Sequence, residues 1–310
     1  MPFELTILGS SSAIPTSERY PTAQVLNALG RFFLIDCGEG TQIQIRRQKI
    51  GFGKIKHIFI SHLHGDHFYG LIGLISTFNL LGLKNDIHIY SASELKDLIQ
   101  PQLDYLRGDM QFKVIFHPLN FKKPQRIYTD KSVEVFSFPL KHSVPVCGFL
   151  FREIQKKPNI KKEVVKKYNI PIANIKTIKD GAGFETKEGE FLTHEELTIP
   201  PATPRSYAFC TDTALHLPAV EIIKGADLLY HEATFTEEMK EQAKKTYHST
   251  ALDAAKMAHA AGAKKLLLGH FSNRYDQFET FVAEAKTLFE NTEEAVDGQT
   301  YTVLKEPQSK

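Results

Sequence analysis

Residues Ser61-His62-Leu63-His64-Gly65-Asp66-His67 place three imidazoles and a carboxylate directly after the apolar run Ile58-Phe59-Ile60. Imidazole nitrogen and carboxylate oxygen are good zinc ligands, and Gly65 lets the chain turn sharply around an ion. Four polar side chains crowded at the end of a buried strand, without a metal, would cost several kcal/mol in lost hydration. A zinc ion takes about four ligands, and one short loop cannot surround it from all sides. A chain carrying this loop must therefore fold so that distant strands end beside it.

Three later residues suit that role. His142 follows a predicted strand over 133–138, Asp212 lies just beyond one over 207–210, and His270 ends one over 266–268. The ends of strands are where α/β sheets place active sites. A carboxylate has two oxygens, so Asp212 can bridge two metals. His57, His88, His117, His194, His216 and His259 stand in no such context and read as surface or structural histidines.

The remaining pattern mixes strands and helices throughout, which predicts layered α/β architecture. Strands are expected over 3–8, 24–28, 32–35, 57–60, 87–90, 112–116, 147–151 and 228–231. Leu29-Gly30 reads as a two-residue hairpin turn between the second and third of these. Helices are expected over 41–50, 68–81, 215–224, 251–261 and 278–289. The chain has 310 residues, 42% of them hydrophobic and 24% charged, enough for one large core or two moderate ones. Cys37, Cys147 and Cys210 are far apart and form no C-x-x-C pair, which argues against a disulfide framework or a thiolate zinc site and fits a reducing compartment. The first nine residues read as a strand without a basic stretch ahead of it, not as a secretory signal. No apolar run reaches membrane-spanning length. The expectation is a cytoplasmic protein with no membrane partner.

Charge is uneven along the chain. Between Arg152 and Lys179 there are nine basic residues against two acidic ones, a local net of +7 in a chain whose total is +2. A mostly acidic stretch and a proline cluster follow. Composition alone reads residues 152–200 as an excursion from the core with a solvated, charged face.

The pattern His62-x-His64-x-Asp66-His67 with His142, Asp212 and His270 resembles the metallo-β-lactamase superfamily. Four further segments are similar to ribonuclease Z within it: Leu34-Ile35-Asp36-Cys37-Gly38-Glu39-Gly40-Thr41-Gln42, His231-Glu232-Ala233-Thr234-Phe235, His248-Ser249-Thr250, and Gly269-His270-Phe271-Ser272-Asn273-Arg274-Tyr275. The resemblance covers essentially the whole chain. It implies an α/β fold, a four-layer αββα metallo-β-lactamase sandwich, as a single domain over 1–310 with an inserted flexible tRNA-binding arm over 152–200. It implies two Zn2+ per chain, with His62, His64 and His142 on one, Asp66, His67 and His270 on the other, and Asp212 bridging. Asp36 is implied as an orienting carboxylate beside the metal loop.

Asp66 is also implied to act on the attacking water, and Glu232 and His248 to form an acid pair outside the metal ligands. Read from the residues alone, His231-Glu232 is a polar pair at a strand end and Ser249 a helix N-cap. The implied activity is endonucleolytic removal of the 3′ trailer of precursor tRNA, leaving a 3′-hydroxyl on the tRNA and a 5′-phosphate on the trailer. Lys156, Lys157, Lys161, Lys162, Lys166, Lys167 and Arg274 are the implied substrate contacts, and a homodimer is implied by the reach of the arm. The chain departs from the family where Asn169-Ile170-Pro171-Ile172-Ala173-Asn174 replaces a Gly-Pro-rich turn, and where residues 15–21 lack a Lys and Arg-Asn pattern. A hydrolase of small phosphodiesters and a non-catalytic RNA-binding module are the alternative readings.

Overall fold

The structure is a computed structural model that describes residues 1–106 and 110–305. Apolar side chains along its central strands are buried on both faces. In Phe3–Gly9, residues Phe3, Leu5 and Ile7 enter one core and Leu8 another. In Leu228–Glu232, Leu228 and Tyr230 face one way and Leu229 the other, and in Leu266–Gly269, Leu267 opposes Leu266 and Leu268. Successive side chains of a strand point to opposite faces, so such strands belong to sheets covered on both sides.

Two seven-stranded sheets satisfy that requirement. The first runs in the order Thr300–Thr302, Phe3–Gly9, Ala23–Ala28, Arg31–Cys37, Ile55–Phe59, Ile87–Ser91 and Val114–Pro118. The second runs Thr292–Glu294, Leu266–Gly269, Leu228–Glu232, Ser206–Cys210, Cys147–Glu153, Val133–Pro139 and Gln125–Thr129. Between them lies an aromatic core that includes Phe33, Phe59, Phe149, Phe151, Tyr207 and Phe209. Helices close the outer faces. Gly70–Leu80 buries Leu71, Leu74, Ile75 and Phe78, the spacing of one helical face. Ala251–Ala261 lays a row of alanines on the second sheet; a Thr250/Asp253 capping box starts it and Gly262, at φ 59°, ends it. The result is the expected four-layer αββα sandwich.

This topology gathers strand ends. Arg31–Cys37, Ile55–Phe59 and Ile87–Ser91 are mutually parallel neighbours, as are Ser206–Cys210, Leu228–Glu232 and Leu266–Gly269. Their C-terminal ends deliver Asp36, the loop 61–67, Asp212, Glu232 and His270. The loop after Arg31–Cys37 packs closely on the helix that follows the metal loop: a Cβ added to Gly70 would lie 2.0 Å from the Gly38 carbonyl oxygen.

Several expected elements differ in detail. The hairpin turn holds, with Leu29 at φ 57° and Gly30 at φ 86°, as a turn with two left-handed residues requires. The helix expected over 68–81 is two helices, Gly65–Phe68 and Gly70–Leu80. The helix expected over 215–224 is reduced to a 3₁₀ turn, Leu217–Ala219, and a short helix, Val220–Ile223; Pro218 fits the first turn of a helix but not its interior. The strand expected over 112–116 is Val114–Pro118. Ser249 does not cap its helix. Thr250 does, because only Thr250 has a carboxylate, Asp253, three residues on, and Ser249 Oγ donates instead to the Thr213 carbonyl. His57, His88 and His117 stack across three neighbouring strands, ring centroids 5.0 and 5.2 Å apart. Burial first, and then its histidine neighbours, push the His57 imidazole down to about 4. Among the described residues no helix is long and apolar enough to cross a membrane.

Among the described residues, 1–152 and 205–303 form one compact unit, and 153–204 with 304–305 form a second. The second has its own small core of Ile170, Ile178, Leu192 and Leu197, two short antiparallel ladders, and a Thr193/Glu196 capping box. Arg152, read from the sequence as the first residue of the excursion, lies in Cys147–Glu153 and donates two hydrogen bonds to Glu134 Oε1 at 3.0 and 2.8 Å.

Candidate metal centre

Strand geometry fixes the metal loop from behind. Asp36, at φ 53°, is the next-to-last residue of its strand, with the side chain turned to the neighbouring strand end. Its Oδ1 accepts the Ser61 amide at 2.7 Å, and its Oδ2 accepts the Ser61 hydroxyl at 2.9 Å and His67 Nδ1–H at 2.7 Å. His67 Nε2 is thereby left facing inward. His62 Nδ1 lies 3.0 Å from Ser61 Oγ, which turns its Nε2 the same way. His142 Nδ1 donates to the Tyr247 carbonyl at 3.1 Å, and its Nε2 converges on His64 Nδ1 at 3.3 Å. The loop carrying His142 is tied to that carrying Asp212 by Lys141 N–H to Thr213 Oγ1 and Ala214 N–H to the Lys141 carbonyl.

Asp212 sits at the middle of the cluster. Its Oδ2 lies 3.5 Å from His62 Nε2 and 3.9 Å from His142 Nε2, and its Oδ1 lies 3.2 Å from both His67 Nε2 and His270 Nε2. Asp66 Oδ2 is 3.3 Å from His67 Nε2 and 3.6 Å from His270 Nε2, and it accepts the Ala13 amide at 2.9 Å. Two groups of converging donor atoms result: His62, His64, His142 and Asp212 on one side, and Asp66, His67 and His270 on the other. Asp212 and His270 adopt left-handed backbone, φ 43° and 58°. Strain of this kind, costing on the order of 1–3 kcal/mol per residue, gathers where function fixes the chain.

The chemistry of this donor set fits a divalent metal. The buried Nε2 atoms of His62, His67 and His270 have no hydrogen-bond partner among the described residues, an expensive state for buried nitrogen unless something accepts the lone pair. Burial would raise the carboxyls of Asp66 and Asp212, but the facing imidazoles outweigh it and hold both well below the usual carboxylate range. Burial would lower His67, but Asp212, Asp66 and Asp36 raise it well above the ordinary histidine value. That corner demands positive charge, and a cation at Nε2 supplies it in place of a proton. Burial, with charge from His67, pushes His62 well below its ordinary value, so its nitrogen is available as a ligand.

Beside the cluster, Glu232 Oε1 accepts His248 Nδ1–H at 2.8 Å and the Thr213 amide at 2.8 Å. Burial works to lower His248, but the Glu232 carboxylate prevails and raises it to about 9. His248 also lies near enough to Asp212 and His270 to count as a metal donor on distance alone. Its Nδ1 is held by Glu232 and its side chain is partly exposed, whereas the Nε2 atoms of His62, His67 and His270 are buried and without a hydrogen-bond partner among the described residues.

The structure thus brings together His62, His64, Asp66, His67, His142, Asp212, His270, Asp36, Glu232 and His248. Arg274 is exposed nearby, 5.9 Å above the Phe235 ring. In the second unit, Lys156, Lys162 and Lys166 are exposed, Lys157 pairs with Asp180, Lys167 lies over the Tyr168 ring, and Lys161 donates to the Glu195 and Glu196 carbonyls at 3.0 and 2.8 Å. Sequence reasoning misses Ser61, Thr234 and the backbones of Ala13 and Tyr247. The two hydroxyls flank ligand or acid residues, which is a usable signal; a backbone carbonyl or amide leaves none.

Comparison with known proteins follows the same lines. The family profile described as Anti-Pycsar protein Apyc1 matches residues 3–155. The chain is 46% identical over 301 residues to a protein of Bacteroides thetaiotaomicron named ribonuclease Z, covering 97% of this chain and 95% of that one. It is 42% identical over 290 residues to one of Porphyromonas gingivalis with the same name, covering 94% and 95%. Among solved structures it is similar to the short form of human tRNase Z, with TM-score 0.71 and 26% identity over 97% of this chain and 99% of that one. It is also similar to the Bacillus subtilis metallo-β-lactamase fold protein YhfI, with TM-score 0.67 and 18% identity over 97% and 99%, a likeness of fold alone.

Proposed function

The chain belongs to the ribonuclease Z family, and from that premise we propose that it is a zinc-dependent endoribonuclease that cleaves the 3′ trailer from precursor tRNA, leaving a 3′-hydroxyl on the tRNA and a 5′-phosphate on the trailer. One observation carries the chemistry: a donor set on both sides of Asp212, directly beside the Glu232–His248 pair. His62, His64 and His142 would hold one zinc ion and Asp66, His67 and His270 the other, with Asp212 shared, giving two Zn2+ per chain. Bound there, the ions polarise the scissile phosphodiester and bring the pKa of water toward neutrality.

The chain's own residues do the rest. Asp66, fixed by the Ala13 amide, orients or deprotonates the attacking water. His248 keeps Nδ1–H on Glu232 and gives the proton on Nε2 to the leaving 3′ oxygen. Glu232, buried and acceptor-only, balances the imidazolium until that transfer.

Lys156, Lys162 and Lys166 would meet tRNA phosphates, with Lys157, Lys161 and Lys167 contributing from positions already engaged within their own unit and Arg274 from beside the centre. Such contacts position the substrate without reading its bases. The protein would act in the cytoplasm as a homodimer in which one subunit's basic unit serves the partner's centre.

Two substrates test this reading. Removal of residues 153–204 should raise KM for precursor tRNA and flatten the dependence of log affinity on log salt by about 0.7–0.9 for each phosphate that is no longer neutralised. Turnover of a small chromogenic phosphodiester should survive, because none of the proposed ligands or proton donors lies in the deleted segment. Unchanged tRNA cleavage by the folded, shortened protein would favour a small-phosphodiester hydrolase instead.

A further inference from the structure

Thr234 stands between the acid pair and the metal cluster and touches both. Its hydroxyl oxygen lies 2.8 Å from Glu232 Oε2, 3.0 Å from His270 Nδ1 and 3.2 Å from His248 Nδ1. A hydroxyl has one proton to donate and two lone pairs to offer. The Glu232 carboxylate can only accept, so the Thr234 proton goes to Oε2. That leaves the Thr234 oxygen as an acceptor toward the imidazoles, and His270 must carry its hydrogen on Nδ1. His270 Nε2 then presents a bare lone pair between Asp212 Oδ1 and Asp66 Oδ2, where it is buried without a hydrogen-bond partner among the described residues.

Glu232 itself is fixed independently of this hydroxyl. Oε1 accepts the Thr213 amide and His248 Nδ1–H, both at 2.8 Å, and Oε2 also accepts the Thr234 amide at 3.0 Å. One carboxylate therefore sets the hydrogen position on two imidazoles with different tasks, on His248 directly and on His270 through the Thr234 hydroxyl.

The opposite side of the cluster repeats the device. Ser61 Oγ donates to Asp36 Oδ2 at 2.9 Å and lies 3.0 Å from His62 Nδ1, leaving His62 Nε2 toward Asp212 Oδ2. His67 and His142 use direct acceptors, Asp36 Oδ2 and the Tyr247 carbonyl. Only His62 and His270, one on each side of Asp212, are set through a hydroxyl among the described residues.

We propose that Thr234 is a positioning residue that fixes the His270 tautomer and so makes Glu232 serve the metal centre and the proton donor at once. This inference rests on the reading of His270 as a zinc ligand. Outer groups that orient metal-bound histidines typically govern about 10–100-fold in metal affinity or activity. Thr234 is nearly fully buried, so valine keeps its volume while removing the hydroxyl, and the backbone amide stays on Glu232.

The test compares Thr234→Val and Thr234→Ser with the unaltered protein, using chelator competition for zinc and precursor tRNA kinetics. Thr234→Val should hold one zinc ion at unaltered affinity, bind the second about 10–100-fold more weakly, and lose kcat with little change in KM. Thr234→Ser should restore both readouts. If the valine variant does not fold, Thr234→Ala carries the same comparison without the branched side chain. Affinities for both ions unchanged from the unaltered protein in the hydroxyl-free variants would overturn the proposal, as would a loss that serine does not repair, which would mark a packing role. Binding of one zinc or none by the unaltered protein would instead overturn the two-zinc reading, and this inference with it.

Discussion

His64→Ala should lose metal and activity together. His64 Nδ1 meets His142 Nε2 at 3.3 Å on the Asp212 Oδ2 side of the cluster, and the residue is only partly buried. Its removal leaves His62, His142 and one shared carboxylate oxygen for an ion that takes about four ligands. Alanine at a half-buried position also opens a path for water without disturbing the sandwich core, so the protein should fold as before. Elemental analysis should find about one zinc per chain instead of two. Precursor tRNA cleavage should fall on the order of 10³-fold, because Lewis-acid stabilisation contributes several kcal/mol and each 1.4 kcal/mol is tenfold in rate. Full activity in a metal-depleted His64→Ala protein would remove the ground for the mechanism.

His248→Ala should separate metal binding from proton transfer. His248 is bound through Nδ1 to Glu232 and raised to about 9, so near neutral pH its ring carries the proton that the leaving 3′ oxygen needs. Alanine removes that donor and leaves Glu232 with the Thr213 and Thr234 amides and the Thr234 hydroxyl. Both zinc ions should stay, and turnover should fall by about 10²–10⁴-fold, the range of general acid catalysis. KM should move little, since tRNA binding is assigned elsewhere. Loss of zinc in this variant would instead place His248 among the ligands, as its distance from Asp212 and His270 alone allows.

The metal centre is legible in the sequence because its chemistry is concentrated. His62, His64, Asp66 and His67 lie in one loop, and His142, Asp212 and His270 each follow an apolar strand, a pattern that topology then converts into one site. What escapes depends on contacts that spacing does not encode. Ser61 and Thr234 act through bonds between strands, and Tyr247 and Ala13 act through backbone groups. The helix expected over 215–224 falls short because its apolar spacing is sound while Pro218 limits where it can start. Ser249 and Thr250 are both acceptable caps by residue type, and only Asp253 at the third helical position decides between them. The histidine ladder of His57, His88 and His117 has no visible partners along the sequence because its spacing exists only across a sheet. The basic segment is legible as charge but not as a packed unit, since its small core of Ile170, Ile178, Leu192 and Leu197 is spread through a strongly polar stretch.

Product analysis on precursor tRNA tests the central claim most directly. The zinc-loaded protein is incubated with an end-labelled precursor carrying a 3′ trailer, and the termini of both fragments are determined. One cut is expected at the 3′ end of the tRNA body, with a 3′-hydroxyl on the tRNA and a 5′-phosphate on the trailer, abolished by a chelator and restored by added zinc. An intact precursor in the presence of rapid small-phosphodiester hydrolysis, or cleavage indifferent to the chelator, would contradict the assignment.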